Sequence, residues 1–504
     1  MAVEDLRLTR RDLVALAGVT LGGLYAGRVP AARAQVVPPP APAPPTPRYL
    51  SRPDLNPPQI TVTRAAAGTA PGMIFLAPFD ISAASGTPAP VPASESRSGP
   101  LVVDDTGEPV WFLPLGSSTA MDFRVQRLRG RPVLTWYEGT VLGPYGGAFV
   151  VYDPTYHRIA RVAAGRGRRG DLHEFLLTAK GNALITIYFE IPADLTSIGG
   201  PKDGRLVTGI VQEIDIETGD VLFEWRSREH VPLSESNMTA VTPAGNVDYF
   251  HLNSVAVDRD GHLLVSARHT STIYKLNRKT GKVLWRLGGK SSDFTFGPGA
   301  AFGFQHDARR QPDGTITLFD NAASLPGPAV ASRAIRLALD MKRKRATLVR
   351  EYKPSGQRAG WAMGNAQQLP SGGLFVGWGT DGSFTEFGPR GGVRYDARFA
   401  DGDVSYRAFR MPWTSRPTGR PATAVVRGDD GTVAVYASWN GATEVARWRV
   451  DAGLQPTGLK PVASKKRTGF ETAIVLPATT TGFLAVTALD ATGKALRTSE
   501  ITAL

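Results

Sequence analysis

The stretches NSVAVDRDGHLLVSAR, starting at Asn253, and HDARRQPDGTITLFDN, starting at His306, decide the fold of this chain. Each is a strand-turn-strand unit in which two alternating runs flank an Asp-Gly turn, a strong hairpin signal. A polar residue stands eight positions before the turn glycine in each unit. Two further copies, HEFLLTAKGNALITIY from His173 and GNAQQLPSGGLFVGWG from Gly364, repeat this spacing. Repeats that place unlike polar residues at one equivalent point predict a site there.

The same unit recurs six times along the chain, and each copy is followed by a second hairpin such as STIYKLNRKTGKVLWRL. Four strands per unit, repeated six times, predict an all-β chain with a six-bladed β-propeller over residues 59–415. Equivalent strand ends from different blades then converge on one central funnel. The six turn glycines are Gly72, Gly130, Gly181, Gly261, Gly314 and Gly372.

The chain changes character after the sixth unit. Residues 412–421 form a turn-rich break, and segments such as VAVYASWNGATEVARWRV and FLAVTALDATGKALRTSEIT have short alternating runs. They predict a small C-terminal β-sandwich over residues 420–504, similar to fibronectin type III modules. A seventh blade is the alternative, because Gly431 follows Asp430 in a possible hairpin.

The first residues have the features of an export signal. Arg10 and Arg11 precede an apolar run to Tyr25, and Ala32-Arg33-Ala34 supplies a small-x-small cleavage pattern. Residues 1–34 are therefore predicted to be a twin-arginine signal peptide, with the twin-arginine export machinery as a partner. Export places the protein in the periplasm, the cell envelope or the extracellular space, without stable membrane insertion after cleavage. Residues 35–58, rich in Pro and Ala, are predicted to be a semi-rigid linker.

Composition excludes some kinds of chemistry. The chain has no cysteine, which rules out thiol catalysis and disulfides. Its formal charge is +13, but the basic residues are scattered and are not interleaved with aromatic residues. This distribution argues against a nucleic-acid partner and favours a solubilising surface that also attracts anions.

Taking Asp-Gly as a two-residue hairpin loop gives a pairing register for the repeats. In that register Asn253 lies opposite Arg268, His306 lies opposite Asn321, and His173 lies opposite Tyr188. His251 precedes Asn253 by two residues and so shares its face of the strand. The candidate catalytic residues are His173, His251, Asn253, Arg268 and His306, and the candidate substrate-binding residues are Asn321 and Tyr188.

Less specific interpretations of these residues stay open. In one alternative, Arg268 forms an ion pair with Asp307 or Asp320. In another, Asn321 and Asp320 only close a turn between two blades. The remaining histidines are interpreted as structural or surface residues: His157, His230, His262 and His269. Two other function classes also fit, namely a metal-dependent enzyme that holds iron or zinc with three histidines, and a propeller that binds a ligand without catalysis.

Several short motifs together resemble the bacterial arylsulfate sulfotransferases, and more closely their broad group of secreted arylsulfotransferase-like propellers. The resemblance runs from about Pro53 to the end of the sixth unit. The chain departs from the better-known enzymes in lacking an N-terminal sandwich and a cysteine pair. The matching motifs are His251-Leu-Asn-Ser254, Ser266-Ala-Arg-His269, Trp285-Arg-Leu-Gly-Gly289, Phe304-Gln-His-Asp-Ala-Arg309, Leu318-Phe-Asp-Asn321 and Gly364-Asn-Ala-Gln367.

The resemblance implies transfer of a sulfuryl group from an aryl sulfate to a phenolic acceptor, without a nucleotide donor, cofactor or metal. It implies that His306 is transiently sulfated and that His251, Asn253, Arg268 and His173 match the family's other site residues. The chemistry of the side chains agrees. Arg268 offers a planar fork for two sulfuryl oxygens, His306 an imidazole nucleophile, and His173 or His251 a proton donor and acceptor.

Overall fold

The computed structural model describes residues 48–81, 96–140, 146–238, 246–322, 331–354, 356 and 358–504. The predicted signal peptide, 1–34, and residues 35–47 of the predicted linker lie outside these ranges. Within the described ranges, no helix has both the length and the apolar character needed to cross a membrane.

The prediction of an all-β chain is confirmed. The described residues contain no α-helix, and their regular structure consists of β-strands and four 3-10 helices of three residues each. These short helices are Thr196–Ile198, Ser227–Glu229, Leu233–Glu235 and Gly379–Asp381.

Strands β1 to β27 belong to the repeat region. They are β1 Ile60–Arg64, β2 Met73–Phe79, β3 Leu101–Val103, β4 Pro109–Phe112, β5 Thr119–Leu128, β6 Arg131–Gly139, β7 Ala148–Tyr152, β8 Arg158–Val162, β9 Phe175–Leu177, β10 Asn182–Ala193, β11 Gly204–Asp215, β12 Val221–Arg226, β13 Asn246–Asp248, β14 Leu252–Val257, β15 Leu263–Ala267, β16 Thr272–Leu276, β17 Val283–Gly288, β18 Thr295–Phe296, β19 His306–Arg310, β20 Ile316–Asp320, β21 Arg333–Asp340, β22 Arg345–Tyr352, β23 Asn365–Gln368, β24 Leu374–Gly377, β25 Ser383–Phe387, β26 Val393–Phe399 and β27 Val404–Met411.

These strands form six sheets, each built on four antiparallel strands. In order they are β27-β2-β3-β4, β5-β6-β7-β8, β9-β10-β11-β12, β14-β15-β16-β17, β19-β20-β21-β22 and β23-β24-β25-β26, with β13, β18 and β1 added to the third, fifth and sixth. Each sheet contacts the next, and the sixth contacts the first. Buried apolar clusters fill the spaces between neighbouring sheets, for example around Leu252, Val265 and Tyr274.

The first sheet is assembled differently from the prediction. Gly72 was expected to turn a hairpin within the first unit, but β1 pairs with β26 and β2 pairs with β27. Gly72 instead lies where β2 meets β27, and a Cβ there would come within 2.7 Å of the Met411 backbone. Hydrogen bonds to strands from the far end of the repeat region satisfy both N-terminal strands, which is why the local hairpin does not form.

The hairpin loops are one residue longer than predicted. In the fourth sheet Gly261, at φ 80°, donates its N–H to Asp258 O at 2.9 Å, and the Asp258 N–H donates to His262 O at 2.7 Å. This is a three-residue loop with glycine in the left-handed region, and it shifts the register by one residue. The loop ending at Gly314 has the same hydrogen bonds.

A β-bulge near the other end of each of these hairpins shifts the register once more. Leu252 therefore pairs with Ala267, and the prediction that Asn253 lies opposite Arg268 is wrong. His306 likewise pairs with Phe319 rather than Asn321. The two shifts of one residue add up to two, and because side chains alternate with a period of two, each side chain still lies on the face of the sheet that was predicted for it.

Residues beyond β27 form two further sheets around one apolar cluster that includes Val435, Trp448 and Val486. The sheets have the orders β28-β29-β32 and β31-β30-β33-β34, with β35 beside β33. Gly431 lies between β28 and β29 in this unit, at φ 78°. The strands are β28 Ala422–Arg427, β29 Val433–Ser438, β30 Arg447–Gly453, β31 Lys460–Lys466, β32 Glu471–Leu476, β33 Phe483–Leu489, β34 Ala495–Thr498 and β35 Thr502–Ala503.

The described end of the predicted linker is packed against the rest of the protein. The Tyr49 ring lies 4.5 Å from the Phe470 ring, and the Ser51 N–H donates to Glu471 Oε1 at 2.6 Å. Leu55 is buried in the cluster between the first and sixth sheets. Residues 48–58 therefore differ from a free spacer, because their apolar and polar side chains both find partners.

Candidate active site

The predicted site residues lie at corresponding ends of neighbouring sheets. His173 and His251 come just before the innermost strands β9 and β14, and His306 begins β19. Arg268 and Asn321 follow the adjacent strands β15 and β20. The strand ends thus bring side chains from three sheets together.

His306 is held in one orientation and one tautomer. Its Nδ1 lies 2.7 Å from Asn321 Oδ1, and the Asn321 amide nitrogen donates to Gly360 O and Met363 O. Because that nitrogen is occupied by two carbonyls, Oδ1 faces the ring and accepts the Nδ1 proton. Burial, followed by the charge of Arg268, lowers the pKa of His306 well below its ordinary value. His306 is therefore neutral, with its lone pair on Nε2.

His173 and His251 are each backed by a carboxylate. His173 Nδ1 lies 2.5 Å from Asp171 Oδ1, and His251 Nδ1 lies 2.5 Å from Asp248 Oδ2. The two rings meet edge to face at 5.0 Å. Burial, followed by His173 and Arg268, lowers the pKa of His251 well below its ordinary value. Both rings direct Nδ1 at an acceptor, which leaves Nε2 for other contacts.

Arg268 is a buried cation without a carboxylate partner among the described residues. Its side chain is 5% exposed, its Nη1 donates to His269 Nε2 at 2.8 Å, and its Nη2 donates to Trp361 O at 3.1 Å. Its Nε has no hydrogen-bond partner within the described ranges. Burial lowers the pKa of Arg268 to about 10, so the group stays charged at neutral pH.

The alternative that pairs Arg268 with Asp307 or Asp320 is wrong. Asp307 forms its ion pair with Arg309 at 2.7 Å, and Asp320 pairs with Arg333 at 2.9 Å. The two hydrogen-bond acceptors of Arg268 are neutral, and Asp248 acts on it only through space, so the guanidinium has no direct carboxylate contact among the described residues and keeps its fork available for an anion.

Two of the predicted residues, Asn253 and Tyr188, hold the segments that carry the histidines. Asn253 is fully buried, and its Nδ2 donates to Gln305 O at 2.7 Å, immediately before His306. The Tyr188 ring stacks on His173 at 5.1 Å, and its hydroxyl donates to Leu252 O at 3.1 Å. Asn321 also acts from behind, through its contact with His306. In this structure all three contact the strand ends that carry the histidines.

The sequence did not reveal the contribution of β27. Tyr406 lies between the His173 and His306 rings, with centroids at 5.5 and 6.4 Å, and its hydroxyl donates to Asn253 O at 3.1 Å. The next residue, Arg407, is fully buried and belongs to a network of three arginines and three carboxylates. The members of this network, the buried ion cluster, are Asp122, Arg124, Glu174, Asp307, Arg309 and Arg407.

The carboxylates behind the histidines were also missed. The carboxylates that follow His173 and His306 directly in sequence, Glu174 and Asp307, belong to the buried ion cluster. Asp171 and Asp248 take that position instead. An Asp two or three residues before a histidine at a strand start was the signal that could have found them.

Within the described ranges, His173, His251 and His306 do not bring their ring nitrogens close enough together to form a three-histidine metal centre. Among the described residues, one group brings three potential ligand atoms within 4.8 Å of one another, and it consists of Asp248, His251 and His269. Within that group His251 Nδ1 bonds to the Asp248 carboxylate, and His269 Nδ1 bonds to the Asp248 carbonyl at 2.6 Å. These hydrogen bonds account for the proximity.

Cavity volume does not identify the site. A surface cavity of about 480 Å³ is lined by Gly303, Asp320 and Arg333, and one of about 330 Å³ by Arg124 and Leu177 among others. Neither is lined by the three histidines. Arg268, which has no carboxylate partner in the part of the chain that the structure describes, and the oriented imidazoles therefore define the candidate site.

Comparison with known proteins identifies the family. Residues 124–400 match the family model described as arylsulfotransferase (ASST), and because this match spans more than half of the chain, the chain belongs to that family. Membership supports an aryl sulfotransferase activity in general. No curated protein matches the sequence.

The solved structures that this chain matches are distant from it in sequence. A Bacteroides caccae protein of unknown function is 12% identical, with 68% of this chain and 100% of that chain covered and a TM-score of 0.39. The Pseudomonas aeruginosa periplasmic gluconolactonase PpgL is 12% identical, with 81% of this chain and 99% of that chain covered and a TM-score of 0.35. A streptogramin B lyase structure is 10% identical, with 75% of this chain and 94% of that chain covered and a TM-score of 0.35.

Proposed function

We propose that this protein transfers a sulfuryl group from an aryl sulfate ester to a phenolic acceptor through a sulfated His306. The observation that carries the proposal is a neutral, oriented imidazole whose pKa is lowered by the charge of a nearby buried guanidinium, which has no carboxylate partner among the described residues. A sulfate monoester brings one negative charge spread over three oxygens, which suits the planar fork of Arg268.

The first half-reaction uses the lone pair on His306 Nε2. A bond forms between Nε2 and sulfur while the bond from sulfur to the phenolic oxygen breaks, and the phenolate leaves with a proton from whichever of His173 and His251 carries one on Nε2. The lowered pKa of His251 favours His173 in this role. Asn321 Oδ1 accepts the remaining Nδ1 proton of His306 and so stabilises the positive ring. Arg268 stabilises the sulfuryl oxygens as charge shifts during transfer.

The second half-reaction reverses these steps with another phenol. His173 or His251 accepts the proton of the acceptor hydroxyl, whose oxygen attacks sulfur and releases His306. The carboxylates of Asp171 and Asp248 stabilise the imidazolium that forms on either ring. Because the donor phenol leaves before the acceptor reacts, the kinetics should be ping-pong.

The test is incubation of the purified protein with a chromogenic aryl sulfate, with and without a phenol. We expect phenolate release that depends on the acceptor, and a sulfated His306 detected by mass spectrometry when the acceptor is left out. His306→Ala should lose both half-reactions, while His262→Gln, at the far end of the fourth sheet, serves as the matched control. Turnover by His306→Ala at the parent rate, or activity that a chelator removes, would replace this mechanism with the metal-dependent alternative.

The export route and the finer architecture belong to the same proposal. The six contacting sheets support a six-bladed propeller over about residues 59–415, and the two sheets beyond it support a sandwich of the fibronectin type III kind over residues 420–504. The twin-arginine pattern supports export to the periplasm, envelope or outside, where aryl sulfates would be met. Fusion of residues 1–34 to a reporter exported only in the folded state tests the route.

A further inference from the structure

His269 lies beside Arg268 in the turn between β15 and β16. The turn is fixed by main-chain bonds from Ser271 N to Arg268 O at 3.0 Å and from Asn237 N to His269 O at 2.7 Å. Both side chains are about 95% buried. This turn thus presents the guanidinium and the imidazole together, although the sequence predicts only a structural or surface role for His269.

The hydrogen bonds of His269 force one tautomer. Its Nδ1 lies 2.6 Å from Asp248 O, a carbonyl that only accepts, and its Nε2 lies 2.8 Å from Arg268 Nη1, a group that only donates. Nδ1 therefore carries the proton and Nε2 the lone pair. An imidazole that accepts from a guanidinium is neutral, and burial, which lowers the pKa of His269 well below its ordinary value, acts in the same direction.

A neutral acceptor has a different effect on Arg268 from a carboxylate. A carboxylate would orient the guanidinium but also neutralise it, and a bound anion would then have to compete with it. An imidazole nitrogen orients the guanidinium and leaves its positive charge in place. The second acceptor, Trp361 O at 3.1 Å, is also neutral.

We propose that His269 is a positioning residue that holds the Arg268 guanidinium with a neutral acceptor, so that its charge is kept for the sulfuryl oxygens of the donor. The inference deepens the proposed sulfuryl transfer and rests on it for the identity of the ligand. The effect of the neutral acceptor His269 on the affinity of Arg268 for an anion concerns binding alone, so it can be measured without turnover.

The experiment measures the affinity of the full-length protein for inorganic sulfate by calorimetry, for the wild type, three His269 variants and one control variant. His269→Gln keeps a neutral acceptor where Nε2 lies, and its dissociation constant should stay close to the parent value. His269→Glu introduces a carboxylate, and the constant should rise by about tenfold or more, where tenfold corresponds to about 1.4 kcal/mol. His269→Phe removes the acceptor, and its dissociation constant should lie between those of His269→Gln and His269→Glu. His262→Gln is the control histidine and should leave the constant unchanged.

The order of the variants decides the inference. Equal losses of sulfate affinity in His269→Gln and His269→Glu would assign His269 a packing role. Equal affinities in all variants would show that His269 has no effect on Arg268. Either result overturns the inference, as does a wild-type protein that binds no sulfate. Where His269→Glu fails to fold, as checked by thermal unfolding, the comparison of Gln with Phe carries the test. Sulfate binding in the expected order without turnover would sustain this inference while the proposed function fails.

Discussion

Four buried histidines, His173, His251, His269 and His306, direct Nδ1 at an oxygen acceptor. An occupied Nδ1 fixes the ring and leaves Nε2 as the reactive nitrogen. The acceptors differ in charge, and that difference separates the proposed roles. The carboxylates behind His173 and His251 can stabilise positive charge on a ring during proton transfer, whereas the amide oxygen behind His306 is compatible with a neutral nucleophile.

Replacing Asn321 by Asp should shift the pH dependence of catalysis. A carboxylate behind His306 raises the pKa of the ring, because an opposite charge favours the imidazolium. Protonated His306 has no lone pair for attack, so the acidic limb of kcat/KM against pH should move to higher pH. Asn365→Asp, at another buried amide that contacts main-chain atoms, is the control and should leave the limb in place. A folded Asn321→Asp variant with the parent profile would contradict the role of Asn321.

Replacing Arg268 by Lys should separate binding from transfer. Lysine keeps the charge but not the planar fork, so KM for the donor should change little while kcat falls by about 10² to 10³, as when one transition-state donor is lost. Steady-state kinetics with an aryl sulfate measure both values. Arg286→Lys, which alters a guanidinium paired with Glu235 in the same sheet, is the control. An unchanged kcat would show that the fork is not used.

At the scale of elements, strand β27 connects the site to the first sheet. It pairs with β2, its Tyr406 separates the His173 and His306 rings, and its Arg407 enters the buried ion cluster. Arg407 also donates to Asn253 O at 3.0 Å. The same strand therefore completes a sheet, spaces two imidazoles and balances buried carboxylates.

Replacing Arg407 by Met should lower the free energy of unfolding by about 3–5 kcal/mol, the range for breaking a buried ion pair by removing one partner. Asp122 and Glu174 would then be left with fewer cations. Urea unfolding measures the loss, and Arg427→Met, at an exposed position of β28, should cost no more than about 0.5 kcal/mol. Equal losses in the two variants would show that the cluster contributes nothing specific.

The buried ion cluster also predicts how this variant responds to pH. Burial raises the pKa of Glu174, but Arg309, Arg407 and Arg124 together lower it below its ordinary value. Its stabilising contribution is therefore present above the unfolded pKa and is lost as the pH falls through the folded pKa. Removing Arg407 raises the folded pKa of Glu174, so Arg407→Met should lose this contribution at a higher pH than the parent in urea unfolding over a pH series.

At the scale of the whole molecule, the C-terminal unit covers the outer edge of the first sheet. The Asn440 amide accepts from Phe112 N at 3.0 Å and donates to Phe112 O at 2.9 Å, and Gly441 N donates to Val110 O at 2.8 Å. Strand β4 would otherwise present unpaired main-chain groups, which invite association with other chains. The unit thus protects an edge, far from the histidines in the fold.

Replacing Asn440 by Ala should loosen this contact without affecting catalysis. Loss of two hydrogen bonds should lower the stability of the docked state by about 1–3 kcal/mol and speed proteolysis within residues 412–421. Limited proteolysis measures the rate, with Gln455→Ala at an exposed position of the same unit as the control. The rate of acceptor-dependent phenolate release should match the parent, and a loss of activity that parallels the loss of stability would show that the unit supports the site.

Much of this arrangement was accessible from local patterns. The turn glycines from Gly130 onward adopt positive φ, as glycine-centred turns require, and the alternating runs form antiparallel strands. In the hairpins of Asn253 and His306 the predicted register failed by two residues, because the turn and a bulge each add one. In the hairpin after His173 it failed by one, because only the turn adds a residue there, so His173 does not lie opposite Tyr188. His306 and Asn321 still meet, since the two shifts leave both side chains on one face.

The strand-turn repeats, and with them the histidines and the arginine at corresponding strand ends, follow from local sequence, because periodicity and turn chemistry act over a few residues. The pairing of β2 with β27, the presence of Tyr406 and Arg407 at the site and the neutral hydrogen-bond acceptors of Arg268 follow from the packing of the sheets. These contacts join residues far apart in the chain. Their partners depend on how the sheets pack, and no local pattern encodes that packing.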